Sequence, residues 1–302
     1  MNATKPRHLL EVTDLTSSEL ARVLDLAQRT DLPKPLAGKG VALIFEKPSN
    51  RTRHSMEMAV VQLGGHPIYT RGEEVGIGVR EPVGDVTRVM AGYHAVLAAR
   101  VFNHEVVEAM AAVSPVPVVN MLSDRAHPLQ ALADVMTMQQ RHGELAGQNI
   151  AYVGDFNNVA RSLAEACVLL GANVKLGCPP GYCAPEAELD RLNGLGAGQV
   201  SQTHRPAEAV GGAIAVHTDT WTSMGQEAEK AARVKDFEGF IVDRAMMAAA
   251  SPGAGFYHCM PAYRGYEVAA DVIDGSQSHV IAQAHNRMHS ARGLLAFLMG
   301  VE

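Results

Sequence analysis

Two hydrophobic rhythms alternate along the chain. Short unbroken apolar runs such as Val41-Ala42-Leu43-Ile44-Phe45 predict buried strands, and stretches with apolar residues every three or four positions predict helices. In order, the pattern predicts helix 17–30, strand 41–45, helix 52–63, strand 67–70, helix 82–92, strand 95–101, helix 104–113 and strand 116–121. Thr16 followed by Ser17-Ser18-Glu19 supplies a capping box for the first helix. A long amphipathic helix from Pro128 to Arg141 then joins two lobes. The alternation restarts with strand 149–153 and helix 158–170. It continues through strand 173–178, helix 185–193, a weak strand at 199–203, helix 206–211 and strand 213–217. A loop from Asp219 to Gly225, a strand at 255–258 and a final apolar helix at 283–299 complete the reading. The Gly-rich stretches 72–78, 193–198 and 252–255 read as loops.

Strand and helix alternating in this way predict an α/β fold of two doubly wound parallel-sheet domains joined by interdomain helices. A length of 302 residues fits two domains of roughly 150 each. The expected boundaries are 1–135 and 136–284, with a C-terminal helix of about 285–302 packing back on the first domain.

Composition narrows the function. A formal charge of −6 lacks the basic face of a nucleic-acid binder, and 5% aromatic residues leave few platforms for stacking bases. No apolar run approaches the roughly 20 residues of a membrane span, and no apolar signal core follows the N-terminus, so a soluble cytoplasmic protein is expected. Four irregularly spaced cysteines make no disulfide framework. Cys178 and Cys183 could form half a zinc site, but no second Cys or His pair follows at ligand spacing.

Ligands of parallel α/β sheets collect beyond the carboxyl ends of the strands. Those positions hold Ser49 to Arg53, Arg100, Ser123 to Gln130, Asp155 to Asn158, Asp219 to Met224 and His258 to Arg264. Loop ends are polar by default, yet folding alone does not demand guanidinium and imidazole groups at so many of them. Ser49-Asn50-Arg51-Thr52-Arg53 sits where a strand gives way to a helix. Free backbone N–H groups, hydroxyls and two guanidinium forks there predict a pocket for a phosphate dianion. Nucleotide readings fail: Gly154-Asp155-Phe156-Asn157-Asn158 lacks the dinucleotide glycine pattern, and Gly38-Lys39-Gly40 is no P-loop.

Taken together, six segments in sequence order resemble the carbamoyltransferase family, most closely its ornithine-using members. They are Phe45 to Arg53, His127-Pro-Leu-Gln130 with Leu132-Ala133-Asp134, Gly154 to Asn158, Asp219-Thr-Trp-Thr-Ser-Met-Gly225, His258-Cys-Met-Pro-Ala262 with Arg264-Gly265, and Asn286-Arg287. The resemblance implies a carbamoyl-phosphate-binding first domain and an ornithine-binding second one. It implies transfer of a carbamoyl group to the δ-amine of L-ornithine, giving citrulline and phosphate, within arginine metabolism. Ser49, Asn50, Arg51 and Thr52 would hold phosphate, with Arg100, His127 and Gln130 gripping phosphate and carbonyl. Arg287 and the backbone at Cys259 and Met260 would close that pocket. Asp219 and Cys259 would flank the amine, and Asn158, Ser223 and Met224 would recognise the amino-acid end. Cys259, Arg100, His127 and Asp219 would carry catalysis. The resemblance also implies a homotrimer that needs no metal or organic cofactor and binds neither nucleic acid nor membrane.

Each residue has a plainer reading: Cys259 as a small buried hydrophobe, His127 as a helix cap, Asp219 and Ser223 as turn formers, Asp155 and Asn157 as shapers of their turn. The chain also departs from the family pattern. Asn50 stands where a threonine is usual, Gly76 where a glutamine reaches carbamoyl phosphate in a neighbouring subunit, and His285 where an acid precedes Asn-Arg. Arg80 is a candidate to compensate for Gly76. Gly293 weakens the last helix by about 1 kcal/mol relative to alanine. Alternatives are a sister transferase acting on putrescine or an N-acylated ornithine, and a non-catalytic ligand-binding paralogue.

Overall fold

The computed structural model describes residues 6–222 and 227–302. The chain divides into two compact units, Met1–Ala133 with His285–Glu302, and Asp134–Ala284. Among the described residues no helix is long and apolar enough to cross a membrane.

The first unit holds a parallel sheet of β1 (Gly40–Phe45), β2 (His66–Arg71), β3 (His94–Arg100) and β4 (Val118–Leu122), in the order β2-β1-β3-β4. Five consecutive residues of β1 are buried, which is why the strand reads as a continuous apolar run rather than an alternating one. Ala42, Ile44, Leu97 and Ala99 join Val107, Met110 and Val118 in one core. Strand β2, at the edge, is half-exposed.

The second unit holds β5 (Asn149–Val153), β6 (Asn173–Gly177), β7 (Val200–Thr203), β8 (Ala215–Thr218) and β9 (Gly255–His258), all parallel, in the order β7-β6-β5-β8-β9. Ala151, Val153, Val216 and Phe256 meet Trp221, Phe237, Phe240 and Val242 in its core. In each sheet the chain order reverses once. The reversal falls between β1 and β3 in the first unit and between β5 and β8 in the second, the places where such sheets open a crevice for ligand.

All nine expected strands form, within one or two residues of their expected ends. The short helices Lys230–Asp236, Arg244–Ala249 and Ala270–Ile273 had no sequence expectation, because so few residues give little periodicity, although the equally short Pro206–Val210 was expected. Gly72–Val75, inside a stretch expected to be loop, makes one helical turn, and Gly255 opens β9. The expected capping box closes: Thr16 Oγ1 accepts from the Glu19 N–H at 3.3 Å, and Glu19 Oε2 accepts from the Thr16 N–H at 2.9 Å.

The last helix, Val280–Leu298, begins three residues earlier than expected. Gly293 does more there than weaken it. A Cβ at Gly293 would lie 2.5 Å from Ala27 N and 2.6 Å from Val23 O, so the helix meets Ser17–Gln28 backbone to backbone. Next to it Arg292 donates to the carbonyls of Ala27 at 2.9 Å and Arg29 at 2.6 Å, capping the end of that first helix.

Candidate active site

In the first unit, β1 delivers the chain to the helix Asn50–Gln62, with Ser49 as its N-cap. Ser49 Oγ accepts from the Thr52 N–H at 3.4 Å and donates to Thr52 Oγ1 at 3.1 Å. Thr52 is buried, Arg51 half-buried and Asn50 exposed on the same first turn. Arg287 comes from the last helix. It donates through Nη2 to Thr52 Oγ1 at 3.2 Å and through Nη1 to Gln130 Oε1 at 2.5 Å. Gln130 lies in the first turn of Pro128–His142, whose start at a proline suits the fixed backbone of that residue. His127 precedes the proline and is buried. Burial, reinforced by the positive charges of Arg287 and Arg100, holds its imidazole well below the usual histidine range and therefore neutral. Arg100, at the end of β3, is 5% exposed.

Two guanidinium groups therefore act on one buried histidine, at the switch point of the sheet and beside a helix N-terminus. Such a concentration of fixed positive charge and N–H donors suits a small dianion, and a neutral imidazole adds a donor without adding charge. Arg53 does not belong to this group, contrary to expectation. Its guanidinium pairs with Glu57 at 2.8 Å and stacks on Tyr69 with its carbon 3.9 Å from the ring centroid. An (i, i+4) carboxylate and an aromatic on the neighbouring strand compete successfully for it. Gly76 adopts φ +59°, and a Cβ there would lie 2.5 Å from Arg80 Cβ. The turn it makes has no room for a glutamine side chain, and Arg80 is exposed.

In the second unit, β5 ends at Val153, Gly154 follows, and the helix Asn158–Leu169 starts after Asn157 as N-cap. Asn157 Oδ1 accepts from the N–H groups of Val159 at 2.9 Å and Ala160 at 3.1 Å, while its Nδ2 donates to Asp219 Oδ2 at 2.8 Å. Asn157 thus both shapes its turn, as expected, and holds the acid at the end of β8. Asp219 Oδ1 accepts from the Thr220 N–H at 2.8 Å and from Cys259 Sγ at 2.9 Å. Asp219 is buried, with Cys259 and Asn158 half-buried.

Cys259 and Met260 follow β9 in a strained geometry. Met260 is left-handed, with φ +60°, a conformation costly for a residue with a side chain. His258 holds it there. His258 Nδ1 accepts from the Met260 N–H at 2.8 Å, which leaves Nε2 protonated to face Glu267 Oε1 at 3.2 Å. The same Glu267 oxygen accepts from the Tyr263 N–H at 2.5 Å, and Gln283 Oε1 accepts from the His258 N–H at 2.9 Å. With the Met260 N–H turned inward to the imidazole, the peptide can offer a ligand its carbonyl oxygens, which suit an N–H-bearing group. Among the described residues Asp219, His258 and Cys259 place ligand-type atoms within 4.8 Å of one another. Both His258 nitrogens are engaged, however, and the trio is better described as a hydrogen-bonded device than as a metal cage.

The structure joins Ser49, Thr52, Gln130 and Arg287 by hydrogen bonds, with Arg100 acting on His127 through charge, in the first unit. It joins Asp219 and Cys259, with Met260 adjacent, in the second. Ser223 and Met224 lie outside the described residues. Sequence reading missed Glu267, Gln283 and Arg233. Arg233 and Gln283 act through contacts distant in sequence, and Glu267 sits in a turn, where an acid is unremarkable.

Two family descriptions match the chain. That of the aspartate/ornithine carbamoyltransferase carbamoyl-P binding domain covers residues 7–140, and that of the Asp/Orn binding domain covers residues 146–298. The ornithine carbamoyltransferase of Thermus thermophilus is 47% identical over 300 residues, 98% of either chain. The solved ornithine carbamoyltransferase of Pyrococcus furiosus is 40% identical and superposes with a TM-score of 0.94 over 99% of both chains. A solved N-acetyl-L-ornithine transcarbamylase is 29% identical, with a TM-score of 0.86 over 96% of this chain and 99% of its own.

Proposed function

The chain belongs to the aspartate/ornithine carbamoyltransferase family, and from that premise we infer that it transfers the carbamoyl group of carbamoyl phosphate to the δ-amine of L-ornithine, releasing citrulline and phosphate. The observation that supports an amine acceptor is the Asp219–Cys259 pair at the ends of β8 and β9, a buried carboxylate suited to an alkylammonium. The full-length identity to ornithine carbamoyltransferases agrees with it.

The donor has a phosphate dianion beside a carbonyl. In this reading the first turn at Ser49, Asn50, Arg51 and Thr52 takes the phosphate, and Arg100 and Arg287 neutralise its charge as the bond to the carbamoyl carbon breaks. His127, neutral, and Gln130 can face the carbonyl oxygen. That oxygen turns negative when the amine adds, and fixed donors aimed at it lower the barrier. The carbonyls of Cys259 and Met260 suit the carbamoyl NH2.

The acceptor must lose a proton before it attacks. An alkylammonium with a pKa near 10.4 is neutral in only about one molecule in 2,500 at pH 7. Asp219 attracts the ammonium, holds it by a charge-assisted hydrogen bond and offers an anionic acceptor for the departing proton. Asn158, Ser223 and Met224 take the amino-acid end. Once amine and carbonyl are placed together, positioning supplies much of the remaining rate.

A homotrimer working in the cytoplasm is part of the same reading. Met58 and Val61, exposed on Asn50–Gln62, and Ile68, exposed on edge strand β2, support association of that unit with another chain. Light scattering that gave the mass of a single 32.2 kDa chain would remove the oligomer from the account. For the reaction, purified protein is given carbamoyl phosphate with ornithine, putrescine, N-acetylornithine or aspartate. Citrulline formation with ornithine far ahead of the other products is expected. No citrulline, or a better rate with another amine, would contradict the assignment.

A further inference from the structure

We propose that Arg233 is a positioning residue for the amino-acid acceptor, locking the turn that carries Asn157 and Asn158 to the segment that carries Asp219. The inference rests on the reading that this unit receives ornithine, and extends it to a residue outside the matched motifs.

Arg233 lies in the helix Lys230–Asp236 and is 6% exposed. Its Nη1 donates to Asp155 Oδ2 at 2.7 Å and to the Trp221 carbonyl at 3.1 Å, and its Nε donates to Glu229 at 2.9 Å. Asp155 stands three residues before Asn158, and Trp221 two residues after Asp219. One guanidinium nitrogen therefore touches both loops that emerge at the switch point of the second sheet. The guanidinium also faces Tyr182, its carbon 5.0 Å from the ring centroid. Tyr182 ties the Asp155 turn to the helix of Arg233: its carbonyl accepts from the Phe156 N–H at 2.9 Å, and its hydroxyl donates to Asp236 at 2.8 Å. Trp221 packs against Phe237, the residue that closes the helix, with the rings tilted and their centroids 5.3 Å apart.

The two loops are thus tied twice. Asn157 to Asp219, at 2.8 Å, is the tie beside the acid that would meet the amine. Asp155–Arg233–Trp221 is the second, and it fixes the angle at which the first presents its carboxylate. Burial pushes the Asp155 carboxyl up, and the hydrogen bond and charge of Arg233, 2.7 Å away, act against that shift. A lysine could replace the charge. It could not reach a carboxylate, a carbonyl and Glu229 from one planar fork.

The test uses the full chain carrying Arg233→Met, Arg233→Lys or Asp155→Asn, with each substrate varied while the other saturates, at a temperature where melting curves show every variant folded. Arg233→Met is expected to raise KM for ornithine by about tenfold or more, the scale of one lost charge-assisted hydrogen bond. KM for carbamoyl phosphate should stay within about twofold, because the altered contacts serve only the acceptor. Arg233→Lys should recover part of the loss, Asp155→Asn should reproduce it, and the pair Asp155→Asn with Arg233→Met should be no worse than either alone. An unchanged ornithine KM in a folded variant, or an equal rise in both KM values, would overturn the proposal. Should Arg233→Met not fold, Arg233→Lys and Asp155→Asn decide by the same split. Wild-type protein that makes no citrulline would instead overturn the functional reading itself.

Discussion

Cys259 illustrates how much a single side chain owes to its neighbours. A half-buried thiol alone says little, but this one donates to a buried carboxylate at 2.9 Å and follows a histidine locked by Glu267. If its work is to hold Asp219 in line, the hydrogen bond matters more than the sulfur. Cys259→Ser should then keep most of the turnover, whereas Cys259→Ala should lower kcat by about tenfold to a hundredfold, the range for a hydrogen bond to a charged group. Steady-state citrulline formation checks both. Equal losses in the two variants would point to thiol chemistry instead. The sequence made Cys259 and Asp219 legible as loop residues at strand ends. It could not reveal Arg53 turned toward Glu57 and Tyr69, because the choice between a ligand and a neighbouring acid is made by side-chain packing.

Elements were legible where their pattern was long. The central strands are apolar runs, edge strands β2 and β7 are weaker, and each long helix repeats its apolar positions often enough to be read. The four-to-seven-residue helices after residue 229 were not, nor was the meaning of Gly293. From sequence Gly293 is a weak point in a helix. In the fold it lets that helix touch Val23 and Ala27 through backbone, which no local propensity can report. Gly293→Ala, though better for an isolated helix by about 1 kcal/mol, should destabilise the protein by about 1–3 kcal/mol because the helices must separate. Denaturant melts of the two proteins measure it, and a stabilised variant would contradict the close approach.

Across the molecule, stability should depend on keeping histidines neutral. His127 is buried and held below the usual range first by burial, then by Arg287 and Arg100. His94, His104, His142 and His279 are lowered chiefly by burial as well. A depressed folded pKa means that the unfolded chain takes up a proton which the folded one refuses. The stabilisation is full above the unfolded value near 6.5 and is lost as pH falls below it. For His127 the slope is about 1.4 kcal/mol per pH unit below that value. Urea melts at pH 7.5, 6.5 and 5.5 should show falling stability, and His127→Asn should make the fall shallower. A stability that rises toward pH 5.5 would contradict the buried neutral imidazole.

In the proposed reaction the two units divide the labour, with the donor on the Arg100–His127–Arg287 cluster and the acceptor on Asp219. Citrulline formation by wild-type, Arg287→Met and Asp219→Asn proteins, with both substrates varied, tests it most directly. Arg287→Met should lower kcat/KM for carbamoyl phosphate by about 10²–10³, as expected for a lost donor to developing charge. Asp219→Asn should lower kcat/KM for ornithine by a similar factor of about 10²–10³ while leaving carbamoyl phosphate binding intact. An Asp219→Asn protein with wild-type kcat/KM for ornithine would contradict the account.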